Sequence, residues 1–214
     1  RLVGPPVLVE LRAEAADGAA RFGIVDVDTV LDAGDHVEAL APGAAVGALD
    51  DVTLLAPVPR PGKVVCVGRN YAEHAAETGS AVPDKPQLFA KWVNAVVGPG
   101  VDVVHHPITR ALDYEAELAV IIGVGGRDIR PERAYSHVFG YTIVNDVTAR
   151  DRQKNHKQWF LGKTLDGFCP MGPWITTSDE LDPENLEVSC WVNGERRQHA
   201  NTRDLIFNIP QLIS

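Results

Sequence analysis

The stretch LDYEAELAVIIG, residues 112–123, places two acids one residue apart in front of a run of branched apolar side chains. The run reads as a buried strand. In extended backbone successive side chains face opposite ways, so Glu115 and Glu117 share one face and Ala116 takes the other. Two carboxylates held that close repel at neutral pH unless a proton, a basic side chain or a cation lies between them. A pair of solvated acids at a strand entrance would give the same local pattern, so the remainder of the chain has to separate the two readings.

A third acid lies where it could join them. Asp146, in GYTIVNDVTARD, stands just past a second strand-like run, as the glutamates stand just before the first. If those strands are neighbours, three carboxylates meet at one edge and offer hard oxygen ligands suited to Mg²⁺ or Mn²⁺. The absence of a nearby histidine disfavours zinc. On spacing alone solvated turn carboxylates are the commoner reading, since acids at strand ends are common.

Other segments supply groups of different chemistry. In VGRNYAEHAAETG, His74 and Glu77 are three apart and would share a side of a short helix capped by Asn70; the carboxylate can hold one imidazole nitrogen and leave the other to accept a proton. An isolated pair of this kind is more often a surface contact than a catalytic dyad. Lys163, between Trp159 and Phe168, is either a cation for an anionic substrate or a lysine whose stem covers an aromatic ring. Gln153 and Arg150 follow Asp146 in a polar loop. His105 and His106 precede Pro107 and read as loop residues, and Trp92 and Trp191 as core or interface anchors.

The 214 residues are 45% hydrophobic and 23% charged, enough for a sizeable core in one main domain or one plus an appendage. A formal charge of −9 without a basic cluster argues against binding nucleic acid through its phosphates. No span approaches roughly 18 uncharged apolar residues, and the first residues lack a signal-peptide core. The expectation is a non-membrane, non-secreted protein of the cytoplasm. Three widely spaced cysteines make neither a disulfide framework nor a thiolate metal site.

Short strand-like pieces, VLVELRA, RFGIVDVDTVLDA and DVTLLAP, predict a small strand-rich N-terminal domain over residues 1–57. Pro57, Pro59 and Pro61 then mark a connector, and residues 58–214 form the larger domain. There KVVCVG, AELAVIIG, FGYTIVNDVT, GPWITT and LEVSCWVNGE read as strands, the last turning at Asn193-Gly194, while RPERAYSHV reads as a helix. Strands outnumber helices, and the class is α+β, mainly β, without the alternation of a doubly wound sheet.

In their order, VVCVGRNYAEHAAETG, PQLFAK, DYEAELAVIIG, GYTIVNDVTARDRQ, GKTLDGFCPMGPW and TRDLIFNIPQLIS resemble the fumarylacetoacetate hydrolase family, especially its bacterial diketo-acid hydrolases, decarboxylases and isomerases. The resemblance covers residue 58 onward. It implies a mixed-strand β-roll with Mg²⁺, or Mn²⁺ or Ca²⁺ in its place, held by Glu115, Glu117 and Asp146. It also implies His74 as general base with Glu77 orienting it on a lid segment, and Lys163 and Gln153 as contacts to substrate oxygens. The partners implied are a small 2-oxo or 2,4-dioxo carboxylic acid and a second copy of the chain.

Two departures accompany the resemblance. Family members continue beyond the position of NIPQLIS, and LIFNIPQLIS is an apolar segment that would otherwise lack cover, so the β-roll is expected to be missing its C-terminal part. Trp92 also stands where relatives carry proline or small polar residues. The leading expectation is hydrolysis of a carbon–carbon bond in an acylpyruvate of the fumarylpyruvate type, releasing pyruvate, because His74 and Glu77 could prepare water. The alternative is a decarboxylase or isomerase of a 2-oxo or 2-hydroxy-diene dicarboxylic acid in aromatic catabolism. A nonenzymatic binding protein is the remote third.

Overall fold

The structure, a computed structural model, describes residues 7–12, 20–26, 28–34, 40–71 and 83–214. The N-terminal part supplies β1 (Val7–Arg12), β2 (Ala20–Asp26), β3 (Thr29–Gly34), β4 (Ala45–Ala48) and β5 (Thr53–Leu54). Next come β6 (Val64–Gly68) and β7 (Gln87–Lys91), which pair only with each other, and the short β8 (Val96–Val97) and β9 (Leu112–Asp113). The apolar runs of the larger part become β10 (Ala116–Ile122), β11 (Val138–Asn145) and β13 (Cys169–Thr177), with β12 (Thr148–Ala149) between the last two. A hairpin of β14 (Glu187–Val192) and β15 (Glu195–Asn201) follows.

The main sheet has nine strands, in the order β10-β11-β13-β1-β2-β3-β4, with β5 on β1 and β8 on β13. The β8–β13 pair is parallel and its other pairs are antiparallel, so the sheet is mixed and the α+β, mainly β class holds. One register pair, Leu8 with Ile175, joins the N-terminal strands to β13. Packing reinforces that join. Trp174 covers Val25 and Val30, and Phe139 covers Ile24 and Ala33, so residues on either side of the connector near residue 58 share a sheet and its apolar faces.

Two core clusters lie under the part of the sheet that matters most. Ala95, Val147, Ala149, Phe168 and Cys169 form one, and its Val147 directly follows Asp146 in the chain. Val138, Tyr141 and Ile209 form the other, flanked by Leu118, Val120 and Ile213. Ile209 opens the helix Ile209–Ile213, whose Asn208 and Gln211 make a reciprocal capping box. The LIFNIPQLIS segment therefore finds cover against β10 and β11.

Several local readings are corrected in detail. RPERAYSHV folds as a 3₁₀ helix, Pro131–His137, and the GPWITT strand extends back to Cys169. Asn193 and Gly194, at φ 52° and 80°, form the expected tight hairpin turn. Trp92 and Trp191 are both about 60% exposed, so neither is a core residue; Trp92 stacks edge-on against Phe160. His105 and His106 lie in a loop, bonded to the Thr109 and Asp166 carbonyls.

Candidate active site

Strand register decides whether the three acids meet. Ala116 pairs with Asn145 across β10 and β11. One residue back, the Asp146 N–H donates to the Glu115 carbonyl at 2.8 Å and the Glu115 N–H to Asn145 Oδ1 at 3.0 Å. Glu115, Glu117 and Asp146 thereby offer ligand oxygens that all lie within 4.8 Å of one another. The strand ends are neighbours, as the metal reading required, and the solvated-turn alternative fails for Asp146, which is 1% exposed.

Three cations are built around this cluster. Lys163, at the end of the helix Phe160–Lys163, bonds Glu115 Oε2 and reaches Asp146 Oδ2 at 2.7 Å. Its ammonium also lies 5.0 Å from the centre of the Phe89 ring. Lys91, the last residue of β7, bonds Asp146 Oδ1 and donates to the Val147 carbonyl at 3.1 Å. Arg150 opens the helix Arg150–Asn155 and spans Glu115 Oε1 at 2.7 Å and Asp113 Oδ2 at 2.8 Å. It also donates to Gln153 Oε1 at 3.2 Å, which fixes the glutamine amide at the site. The Thr148 hydroxyl donates to the Asp146 carbonyl at 2.9 Å.

The charges divide unequally. Burial alone would raise the Glu115 carboxyl, but Lys163 and Arg150 outweigh it and hold it below the ordinary carboxylate range. Burial would lower the Lys163 ammonium, yet Asp146 and Glu115 keep it firmly protonated. Glu117 is the exception. Burial, then the Asp146 and Glu115 charges, push it up to about 8, and among the described residues no hydrogen-bond donor reaches its carboxylate. Lys163 and Arg150 thus answer the Glu115 charge and Lys91 and Lys163 that of Asp146, while the raised Glu117 carboxyl favours its protonated form.

That arrangement fits a hard divalent cation. The donors are all carboxylate oxygens with no histidine or cysteine among the three, and binding would exchange the Glu117 proton for metal charge. The cluster opens on a cleft of ≈ 2050 Å³ whose wall also includes Phe89, Trp159, Gln153 and Lys163.

The structure thus brings Glu115, Glu117, Asp146 and Lys163 into contact range and sets Gln153 on the same wall. His74 and Glu77 lie outside the described residues. Sequence reasoning missed the parts played by Lys91, Arg150, Asn145 and Thr148. Lys91 carried one signal, since it ends a strand in which alternation puts it on the same side as Phe89. Arg150 carried none, because its partners are set by pairing across 37 residues.

Residues 63–214 match the family model described as fumarylacetoacetate (FAA) hydrolase C-terminal. The chain belongs to the fumarylacetoacetate hydrolase family. Within that family it is 51% identical over 177 residues to oxaloacetate tautomerase YisK of Bacillus subtilis (strain 168), covering 80% of this chain and 58% of that protein. The chain therefore spans somewhat over half the length of the curated relatives it matches. Among solved structures, the fumarylacetoacetate hydrolase of psychrophilic Exiguobacterium antarcticum superposes with a TM-score of 0.86 at 41% identity, over 98% of this chain and 80% of that one. A maleylpyruvate hydrolase from Sphingobium sp. SYK-6, in complex with manganese(II) and pyruvate, gives a TM-score of 0.76 at 31% identity, over 97% of this chain and 81% of that one.

Proposed function

We propose that this protein is a divalent-cation-dependent tautomerase or isomerase of a small 2-oxo dicarboxylic acid of the oxaloacetate type. The observation that carries the proposal is the meeting of Glu115, Glu117 and Asp146 beside Lys163 in an open cleft. The 51% identity to an oxaloacetate tautomerase supports one of the reactions such a site can run. It favours the isomerase alternative over the pyruvate-releasing hydrolysis that leads on sequence alone. Tautomerisation moves one proton between C3 and the C2 oxygen, with no water attacking carbon, so it needs less of the site.

The chemistry a bound Mg²⁺ or Mn²⁺ supplies is polarisation of the C2 carbonyl, with Glu115, Glu117 and Asp146 as its protein ligands. Lys163, held charged by its acidic neighbours, stands ready to offset the negative charge that grows on the C2 oxygen as the C3 proton leaves. Gln153, oriented by Arg150, can donate its amide to a substrate carboxylate. His74, with Glu77 behind it, is assigned the proton transfer at C3, on the sequence motif alone. A homodimer in the cytoplasm belongs to the same proposal, and light scattering with cell fractionation tests it.

Hydrolysis stays as the second reading because the Sphingobium relative of similar fold carries that name and holds pyruvate with its metal. The experiment follows enol oxaloacetate by ultraviolet absorbance and pyruvate release from acylpyruvates by a coupled dehydrogenase, each with Mn²⁺ or chelator. The proposal expects Mn²⁺-dependent acceleration of enol–keto exchange. Rapid acylpyruvate cleavage with unchanged enol decay would overturn it in favour of hydrolysis.

A further inference from the structure

Residue 116 is the hinge of the candidate metal centre, because its backbone torsions, with those of the peptides flanking it, set the angle between the Glu115 and Glu117 side chains. In an antiparallel ladder the N–H and C=O of one residue face the same way, and successive residues alternate between facing the partner strand and facing away. The Glu115 carbonyl accepts from Asp146, on the side of β11, so the N–H and C=O of Ala116 face the opposite side. β10 is the first strand in the sheet order, and among the described residues no strand pairs with that side. The edge should be open there, yet it is closed by one side chain. Gln198 Oε1 accepts the Ala116 N–H at 2.9 Å, and Gln198 Nε2 donates to the Ala116 carbonyl at 2.6 Å.

We propose that Gln198 is a positioning residue for the cation ligands, its amide taking the place that one residue of a neighbouring strand would occupy and fixing the backbone between the two glutamates. The proposal rests on reading the carboxylates as ligands. Among the described residues Gln198 hydrogen-bonds the Ala116 backbone and no carboxylate, and it is steadied by the β14–β15 hairpin, where it pairs with Cys190. Both bonds together define the amide orientation, since exchanging its oxygen and nitrogen would set donor against donor and acceptor against acceptor. An edge residue without such a clamp can rotate its flanking peptides, and a cation that needs oxygens on both glutamates feels that rotation directly. Groups that orient ligands in this indirect way typically change metal affinity by about 10–100-fold when removed.

The test compares wild type with Gln198→Met, which keeps length and approximate volume but can neither donate to nor accept from the peptide. Mn²⁺ affinity is measured by calorimetry on chelator-treated protein, and the unfolding temperature is recorded without metal. The expected result is a Mn²⁺ dissociation constant raised about tenfold or more, with the metal-free unfolding temperature lowered by no more than about 8 °C. An unchanged Mn²⁺ affinity, with or without a lower unfolding temperature, overturns the positioning role and leaves Gln198 a structural contact. Wild type that binds no Mn²⁺ overturns instead the reading of the carboxylates as ligands. If the variant does not fold, amide exchange at Ala116 in the wild-type protein decides: protection like that of residues paired inside the sheet supports the clamp, and exchange at the rate of an open edge refutes it.

Discussion

Replacing Lys91 by methionine removes one buried ammonium from the candidate centre while keeping most of the stem that packs there. Lys91 is 3% exposed, and its Nζ serves two acceptors, Asp146 Oδ1 and the Val147 carbonyl. Removing one partner of a buried ion pair costs about 3–5 kcal/mol, because the other is left uncompensated. Asp146 keeps Lys163 at 2.7 Å, which argues for the lower end, about 3 kcal/mol. For a protein of this size that lowers the unfolding temperature by about 6–12 °C. Urea unfolding with chelator present, followed by circular dichroism, measures the loss. Adding Asp146→Asn should cost less than the sum of the single changes, by at least about 1 kcal/mol. Saturating Mn²⁺ should stabilise Lys91→Met more than wild type, as the cation replaces the missing charge. A loss below about 1 kcal/mol in chelator would refute the reasoning, since it would mean that Lys91 carries little of the charge balance.

Gly162→Ala would set a Cβ 2.6 Å from the Gln153 backbone nitrogen and 2.8 Å from the Ala149 carbonyl, so the helix bearing Lys163 must move away from the helix bearing Gln153. Urea unfolding should show a loss of about 1–3 kcal/mol, and wild-type stability would mean that the two helices are not in contact. Glu117 titrates near 8 in the folded chain against an ordinary 4.5, so the metal-free protein loses stability as pH rises through that window. Glu117→Gln removes this dependence, and its stability relative to wild type should rise between those pH values; a constant difference would remove the proton from Glu117. His74→Ala should slow oxaloacetate tautomerisation by roughly 10²-fold without changing Mn²⁺ affinity, and a full rate in steady-state assays would exclude His74 as the proton carrier.

The local elements were legible where one period dominates. The apolar run after Glu117 gave β10, Asn193-Gly194 gave the hairpin turn, and the shared face of Glu115 and Glu117 followed from alternation alone. What one segment cannot reveal is which segment it meets. The adjacency of Asp146 to the glutamates depends on the β10–β11 register, and Lys163 and Lys91 arrive on different elements to answer the same charge. Gln198 was opaque for the same reason, since its amide acts 82 residues away along the chain. RPERAYSHV shows a different limit: its proline and charges suit any helical turn and do not separate an α-helix from the tighter 3₁₀ form that Pro131–His137 adopts. The preference for hydrolysis arose because His74 and Glu77 suit water activation as well as proton transfer, and residue types alone do not separate those uses.

Everything proposed for the site requires that Glu115, Glu117 and Asp146 together hold one divalent cation. Calorimetric titration of Mn²⁺ into chelator-treated protein at pH 7, repeated in buffers of different ionisation enthalpy, tests it together with its electrostatics. The expected result is a single site per chain, release of about one proton per cation from Glu117, and affinity lowered by more than about 100-fold in Glu115→Gln, Glu117→Gln and Asp146→Asn, beyond the usual effect of groups outside the ligand set. Absence of Mn²⁺ binding in the wild-type protein, or wild-type affinity in any of the three variants, would contradict it.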